Sequence, residues 1–171
     1  VGHTFVELLV TMGILAILAT AVLPVAAMSR RREKEIELRH ALRDIRAALD
    51  MYHELCTRRT LGGGGGQQAP APIIQMGPPE DDPGMTCWPS DLDVLVHGVK
   101  TNIPDYKLRF IRRIPVDPFN RSGEEHDQHG WVLRSSNSDP ERSLGWDRTN
   151  VFDVRSGSES QALDNSYYGD W

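Results

Sequence analysis

The pattern along the chain begins with one long apolar stretch and then changes period. From Phe5 to Met28 nearly every residue is apolar, and Glu7 is the one charge inside the run. A helix of this length, at about 1.5 Å per residue, spans about 36 Å, enough to cross a hydrocarbon core of about 30 Å. Gly13 and Pro24 interrupt it. Pro24 removes a backbone hydrogen bond, which predicts a kink or local melting near residues 20–24.

From Ser29 the composition turns polar while the helical period persists. Leu38, Leu42, Ile45, Leu49, Tyr52 and Cys56 recur at intervals of four and three, one face of an amphipathic helix. Ala41, Ala48 and Leu55 widen that face. No proline or glycine falls between Pro24 and Gly62, so a single helix is expected to continue to about Arg58. Glu35 with Arg39, and Arg46 with Asp50, have the spacing of i,i+4 ion pairs on the solvated side. The charged run Arg30–Glu37 reads as solvated surface.

Residues 59–89 form a glycine- and proline-rich loop. Its five consecutive glycines lack the lysine and hydroxyl residue of a phosphate-binding loop. Beyond it, residues 90–171 read as a small α+β region. Ser90 and Asp93 have capping-box spacing for a short helix from Asp91 to His97, stopped by Gly98. Tyr106–Ile114 fits either strand or helix. IPVDPF forces extended structure and turns, because each proline restricts the residue before it. Gly130–Ser135 and Val151–Ser156 read as an antiparallel strand pair. The tail is expected to add a short third strand and to pack Trp171 onto the sheet.

Composition narrows the function. With 171 residues there is room for an anchor and one soluble domain of about 100–140 residues. A net charge of −5, with no basic stripe beyond Arg30–Arg32 and a few scattered arginines, argues against nucleic-acid binding. Cys56 and Cys87 allow one disulfide in an oxidising compartment, or two buried thiols in a reducing one. No nucleophile–base pair emerges, so an enzyme is not expected. His40 and His53 lie within the long helix as surface or boundary residues. His126 and His129, with Glu124, Glu125 and Asp127, form a transition-metal candidate set in a loop, weighed against an ordinary solvated loop. Val1–Gly2 reads as the remnant of a leader. Arg30, Arg31, Arg32 and Lys34 after the apolar run would place that side in the cytoplasm, and a basic leader before Gly2 would reverse the balance.

The stretch GHTFVELLVTMGILAILATAVLP resembles the N-terminal signature of type IV pilins and type II secretion pseudopilins: glycine before the cleavage point, glutamate fifth after it and proline twenty-second. Those positions are Gly2, Glu7 and Pro24, counting from His3. WPSDLDVL, RRIPVDPFN, GWVLRSS and the closing NVFDVRSGSESQALDNSYYGDW are similar to the distal domain of the major, G-type pseudopilin. His3 stands where the family usually has phenylalanine, and the insertion between the cysteines is longer than usual.

The resemblance implies a pilin-like fold, in which one long N-terminal helix packs on a small antiparallel sheet. Residues 3–28 would form its membrane and filament-core half, and residues 29–58 its amphipathic half. It further implies a single inner-membrane span with the remainder in the periplasm. A prepilin peptidase would cleave between Gly2 and His3 and methylate the new amine of His3. The partners implied are further copies of the chain, minor pseudopilins, that peptidase, and an inner-membrane assembly platform with its ATPase. Glu7 would meet the α-amine of a neighbouring copy's His3 and set the assembly register, because an opposite-charge pair is strong in a low dielectric. Calcium is the one cofactor implied, with Ser158, Glu159 and Asp164 at the corresponding stretch. A surface type IV pilin and an exported binding module with a secretory signal cut after Val25-Ala26-Ala27 are the alternatives.

Overall fold

The computed structural model describes residues 4–60, 86–101, 103–120, 129–138 and 146–171. The chain divides into two compact units, Val1–Glu37 and Leu38–Trp171. A single helix, α1 (Phe5–Thr60), contributes to both.

In the first unit Thr4 immediately precedes α1. The Thr4 hydroxyl accepts the Glu7 amide hydrogen at 3.4 Å, and the Thr4 carbonyl accepts that of Leu8 at 3.2 Å. This satisfies helix-end donors, and Glu7 occupies the third helical position, where the helix dipole favours a carboxylate. The Thr11 and Thr20 hydroxyls donate to the carbonyls of Leu8 (2.9 Å) and Ile17 (2.7 Å). Their polar atoms are thereby satisfied within the helix. Helix assignment is continuous through residues 20–24, so the expected local melting at Pro24 is corrected. A proline removes one hydrogen bond, and the flanking turns keep theirs. This helix is long and apolar enough to cross a membrane.

In the second unit the expected apolar stripe is the core. Leu38, Leu42, Ile45, Leu49, Tyr52 and Cys56 are each at most 3% exposed. Against them pack Leu92, Leu95, Ile114, Trp131, Leu133, Val151, Val154 and Tyr168. The short helix α2 is Asp93–His97, followed by β1 (Val99–Lys100) and β2 (Lys107–Leu108), which pair antiparallel. β3 (Trp131–Arg134) and β4 (Asp153–Ser156) pair antiparallel with Trp131 opposite Ser156 and Arg134 opposite Asp153. Trp131, Leu133, Val154 and Ser156 therefore share the buried face. The layout is α+β, with two two-stranded sheets among the described residues.

Several local expectations change. Leu92 occupies the N-cap of α2, and it is Asp91, not Ser90, that accepts the Asp93 amide hydrogen (3.4 Å). Of Tyr106–Ile114 only Lys107–Leu108 is strand; Phe110 and Ile111 instead donate backbone hydrogen bonds to the Leu95 carbonyl. Gly98 ends α2 at φ +78°, and a Cβ there would lie 2.6 Å from the Leu108 oxygen, so the turn is closed to other residues. The tail forms one bridge, Gln161 with Tyr167, and a 3₁₀ turn (Tyr168–Asp170) in place of a third strand. Trp171 packs against the core cluster and meets the Tyr168 ring edge-on.

The expected i,i+4 ion pairs are also replaced. Glu35 meets Arg31 at 4.0 Å, Arg39 meets Asp164 at 3.6 Å, and Arg46 meets Asp153 at 2.8 Å. Both Arg39 and Arg46 flank the buried stripe closely enough to reach the distal segments.

Cys56 and Cys87 are joined by a disulfide with a Cα separation of 5.4 Å. Both residues are buried, at the C-terminal end of the stripe. Replacing both with alanine is expected to cost about 3–4 kcal/mol, the chain-entropy value for a loop of about 30 residues. Urea denaturation of the oxidised protein and the variant, followed side by side, measures the difference.

Candidate functional site

The N-terminal candidate is a surface. Phe5, Leu15, Ile17 and Val25 are 65–75% exposed, and the described residues from Thr4 to Arg30 are all exposed. Glu7 stands in the first turn of α1 within this apolar surface. Gly2 and His3, the expected processing point, lie outside the described residues. Burying one large aliphatic or aromatic side chain is worth about 1.5–3 kcal/mol, so this surface strongly favours lipid or other apolar helices over water.

The distal unit carries three polar ties. The first is Arg46. Its Nε donates to Asp153 Oδ1 at 2.8 Å, and one terminal nitrogen donates to the backbone oxygens of Val154 (2.9 Å) and Trp171 (2.6 Å). One side chain of α1 thus holds both β4 and the last residue. The guanidinium fork suits this task, because it offers several donors in fixed geometry.

The second tie is Asp117, fully buried within IPVDPF. Its Oδ1 accepts the Phe119 amide hydrogen at 2.8 Å. Its Oδ2 accepts from the Ser156 hydroxyl at 2.6 Å and the Gly157 amide at 3.2 Å. The Asp117 amide donates to the His129 carbonyl at 2.9 Å. Asn120 donates to the Gly130 carbonyl at 2.9 Å, and the Trp131 indole donates to the Pro115 carbonyl at 2.7 Å. Gly130, at φ +83°, is needed here: a Cβ would collide with the Asn120 carbonyl oxygen. The proline-flanked segment is thereby stitched to both β3 and β4.

The third tie surrounds the disulfide. The His53 ring stacks on Trp88 with centroids 4.0 Å apart, and its Nδ1 lies 3.1 Å from the Cys87 carbonyl. A carbonyl only accepts, so Nδ1 carries the hydrogen. Trp88 in turn meets Phe152 edge-on. His53 is therefore a half-buried packing residue, and His40 is exposed.

The calcium candidates do not converge on an ion. Asp164 Oδ1 accepts from the Ser166 hydroxyl (2.6 Å) and amide (3.0 Å), while its other oxygen faces Arg39. Ser158 is buried, and its hydroxyl oxygen accepts the Ser160 amide hydrogen at 3.3 Å. Glu159 is exposed. Calcium takes six to eight oxygens, and these residues do not fit it. Among the described residues no group of three or more His, Cys, Asp or Glu side chains is placed to hold a metal. Glu124, Glu125, His126 and Asp127 lie outside the described residues.

Comparison of the chain with protein-family models, with curated proteins and with solved structures returns no match.

Asp117, Arg46 and the Arg39–Trp171 contact were not among the sequence-derived site residues. The flanking prolines mark Asp117, and the 39, 43, 46 spacing marks an arginine stripe beside the core stripe. Nothing in a sequence says which distant oxygen each would meet.

Two outcomes follow from these geometries. Asp117→Asn puts an amide where the carboxylate accepts from Ser156 and Gly157; the loss is expected to be about 2–3 kcal/mol, the worth of charge-assisted hydrogen bonds, read by thermal unfolding. Asp164 is held below the usual aspartate pKa, chiefly by the Ser166 hydroxyl, then by the Ser166 amide, with a further contribution from Arg39. A depressed carboxylate adds stability above its unfolded pKa and loses it as pH falls through its folded one. NMR titration is thus expected to place Asp164 on the acid side of the ordinary range, and Ser166→Ala to move it back up.

Proposed function

We propose that the chain is a structural subunit of a pilin-like filament, most like the major pseudopilin of type II secretion. One observation carries the reading: α1 presents a membrane-length apolar surface, exposed at every described residue from Thr4 to Arg30, with a carboxylate in its first turn. A helix meant only to sit in lipid gains nothing from that acid, because a charge in hydrocarbon is expensive. A helix meant to leave lipid and pack among copies of itself has a use for it.

In this reading the inner membrane stores the subunit through residues 3–28. A prepilin peptidase cleaves between Gly2 and His3 and methylates His3. The assembly platform and its ATPase then stack copies, together with minor pseudopilins, into a periplasmic filament that pushes folded cargo through the outer-membrane secretin. Each incoming His3 amine meets the Glu7 carboxylate of a neighbour, where low dielectric strengthens the attraction. The apolar surface supplies the cohesion, and the charge pair supplies the axial register. The chain contributes shape and packing, while the work comes from the ATPase.

Glu7→Ala is expected to insert into the membrane normally and to lose most filament assembly. Membrane fractionation and filament yield from the same cells measure the two arms, and a normal yield overturns the register role. Mass spectrometry of the mature N-terminus tests the class: N-methylated His3 supports it, and Met28 as first residue replaces it with a cleaved secretory signal.

A further inference from the structure

The closing segment, residues 157–171, has little regular structure; besides the buried Tyr168 and the Arg46–Trp171 bond, it makes a second set of contacts to α1, at Arg39. Arg39 places a guanidinium nitrogen 3.6 Å from Asp164 Oδ2, and the guanidinium carbon sits 4.2 Å from the centre of the Trp171 ring. The two contacts are tied together from below. The Trp171 indole donates to the Ser166 hydroxyl oxygen at 2.7 Å, and that hydroxyl donates to Asp164 Oδ1 at 2.6 Å. Arg39, Asp164, Ser166 and Trp171 therefore form a closed ring of contacts. Backbone bonds lock the turn inside it: Ala162 to Ser166 (2.7 Å), Asn165 to Ala162 (3.1 Å) and Tyr168 to Ser160 (3.1 Å). Asn165, at φ +70°, takes the left-handed conformation that the turn needs, one asparagine tolerates.

We propose that Arg39 is the built-in cation of this segment, organising residues 157–171 in the way a bound divalent ion would and making their order independent of calcium. A guanidinium suits the place better than a lysine, because one planar group meets a carboxylate at its edge and an aromatic ring at its face. The donor set agrees: Asp164 accepts two hydrogen bonds from Ser166 on one oxygen and faces the guanidinium with the other, so an ion there would compete with contacts already made. The inference concerns the subunit alone and does not rest on the filament reading.

The test is hydrogen exchange by mass spectrometry on the full chain in detergent micelles, with calcium or with EGTA. Peptides covering 157–171 are expected to exchange at the same rate in both. Arg39→Gln should speed their exchange about fivefold in either condition, with Arg39→Lys between it and the wild type, as exposed cation–π and ion-pair contacts allow. Peptides from the core stripe, residues 42–52, should be unchanged, which separates loss of the contact from misfolding. Calcium-dependent protection of the wild-type segment overturns the proposal. So does unchanged exchange in Arg39→Gln.

Discussion

The distal unit depends on the apolar stripe that α1 carries from Leu38 to Cys56. Two-stranded sheets are at best marginally stable alone in water, and this unit has two of them among its described residues. β3 and β4 persist because Trp131, Leu133 and Val154 bury one face within the core that α1 builds. Among the described residues, α1 is also the one regular element long enough to offer such a surface, since α2 has five residues. Strand length, sheet size and the irregular closing segment all follow from having a single long template.

A stripe of aliphatic side chains fixes burial and leaves orientation loose, because apolar contact has no direction. The polar ties supply the direction. Arg46 specifies where β4 and Trp171 lie along the helix, since three oxygens must meet one guanidinium. Asp117 specifies how the proline-flanked segment meets the ends of β3 and β4. The disulfide fixes the far end of the stripe to the chain that returns from residues 59–89. None of these needs to contribute much net energy to decide among packings of similar apolar area. Arg46 is 40% exposed, and solvent screening keeps its ion pair worth little on its own.

What was legible in the residues is what repeats. The apolar run, the four-three spacing of the stripe, the short β-prone runs GWVLRS and VFDVRS between turn residues, and the stop at Gly98 each led to the observed element. What was not legible depends on distance in the chain. Arg46 and Asp50 have good spacing for a pair on an isolated helix, but Asp153, 107 residues away, adds two neighbouring backbone oxygens and wins the guanidinium. Ser90 and Asp93 match a capping pattern that Asp91 pre-empts from one residue nearer. The tail is expected to add a short strand, yet it folds on itself: the Asp164 side chain accepts the Ser166 amide hydrogen, and the Ala162 amide donates to the Ser166 carbonyl.

The same accounting bears on why an acid is kept in the apolar segment. Thr11 and Thr20 show how a polar group is made compatible with lipid: each hydroxyl donates to a carbonyl of its own helix. A carboxylate has no hydrogen to donate, so Glu7 cannot bond a carbonyl of its own helix as the two threonines do. What the helix offers instead is its N-terminal turn, whose amide hydrogens and dipole favour negative charge. Placed at that end, the acid costs less in lipid than it would in mid-segment, and it stays exposed on the helix surface. A position deeper in the segment would raise the cost, and one before the helix would lose the dipole. Glu7 stands in the first turn, where the dipole favours its charge, and is exposed on the helix surface, both of which the proposed register role asks of it.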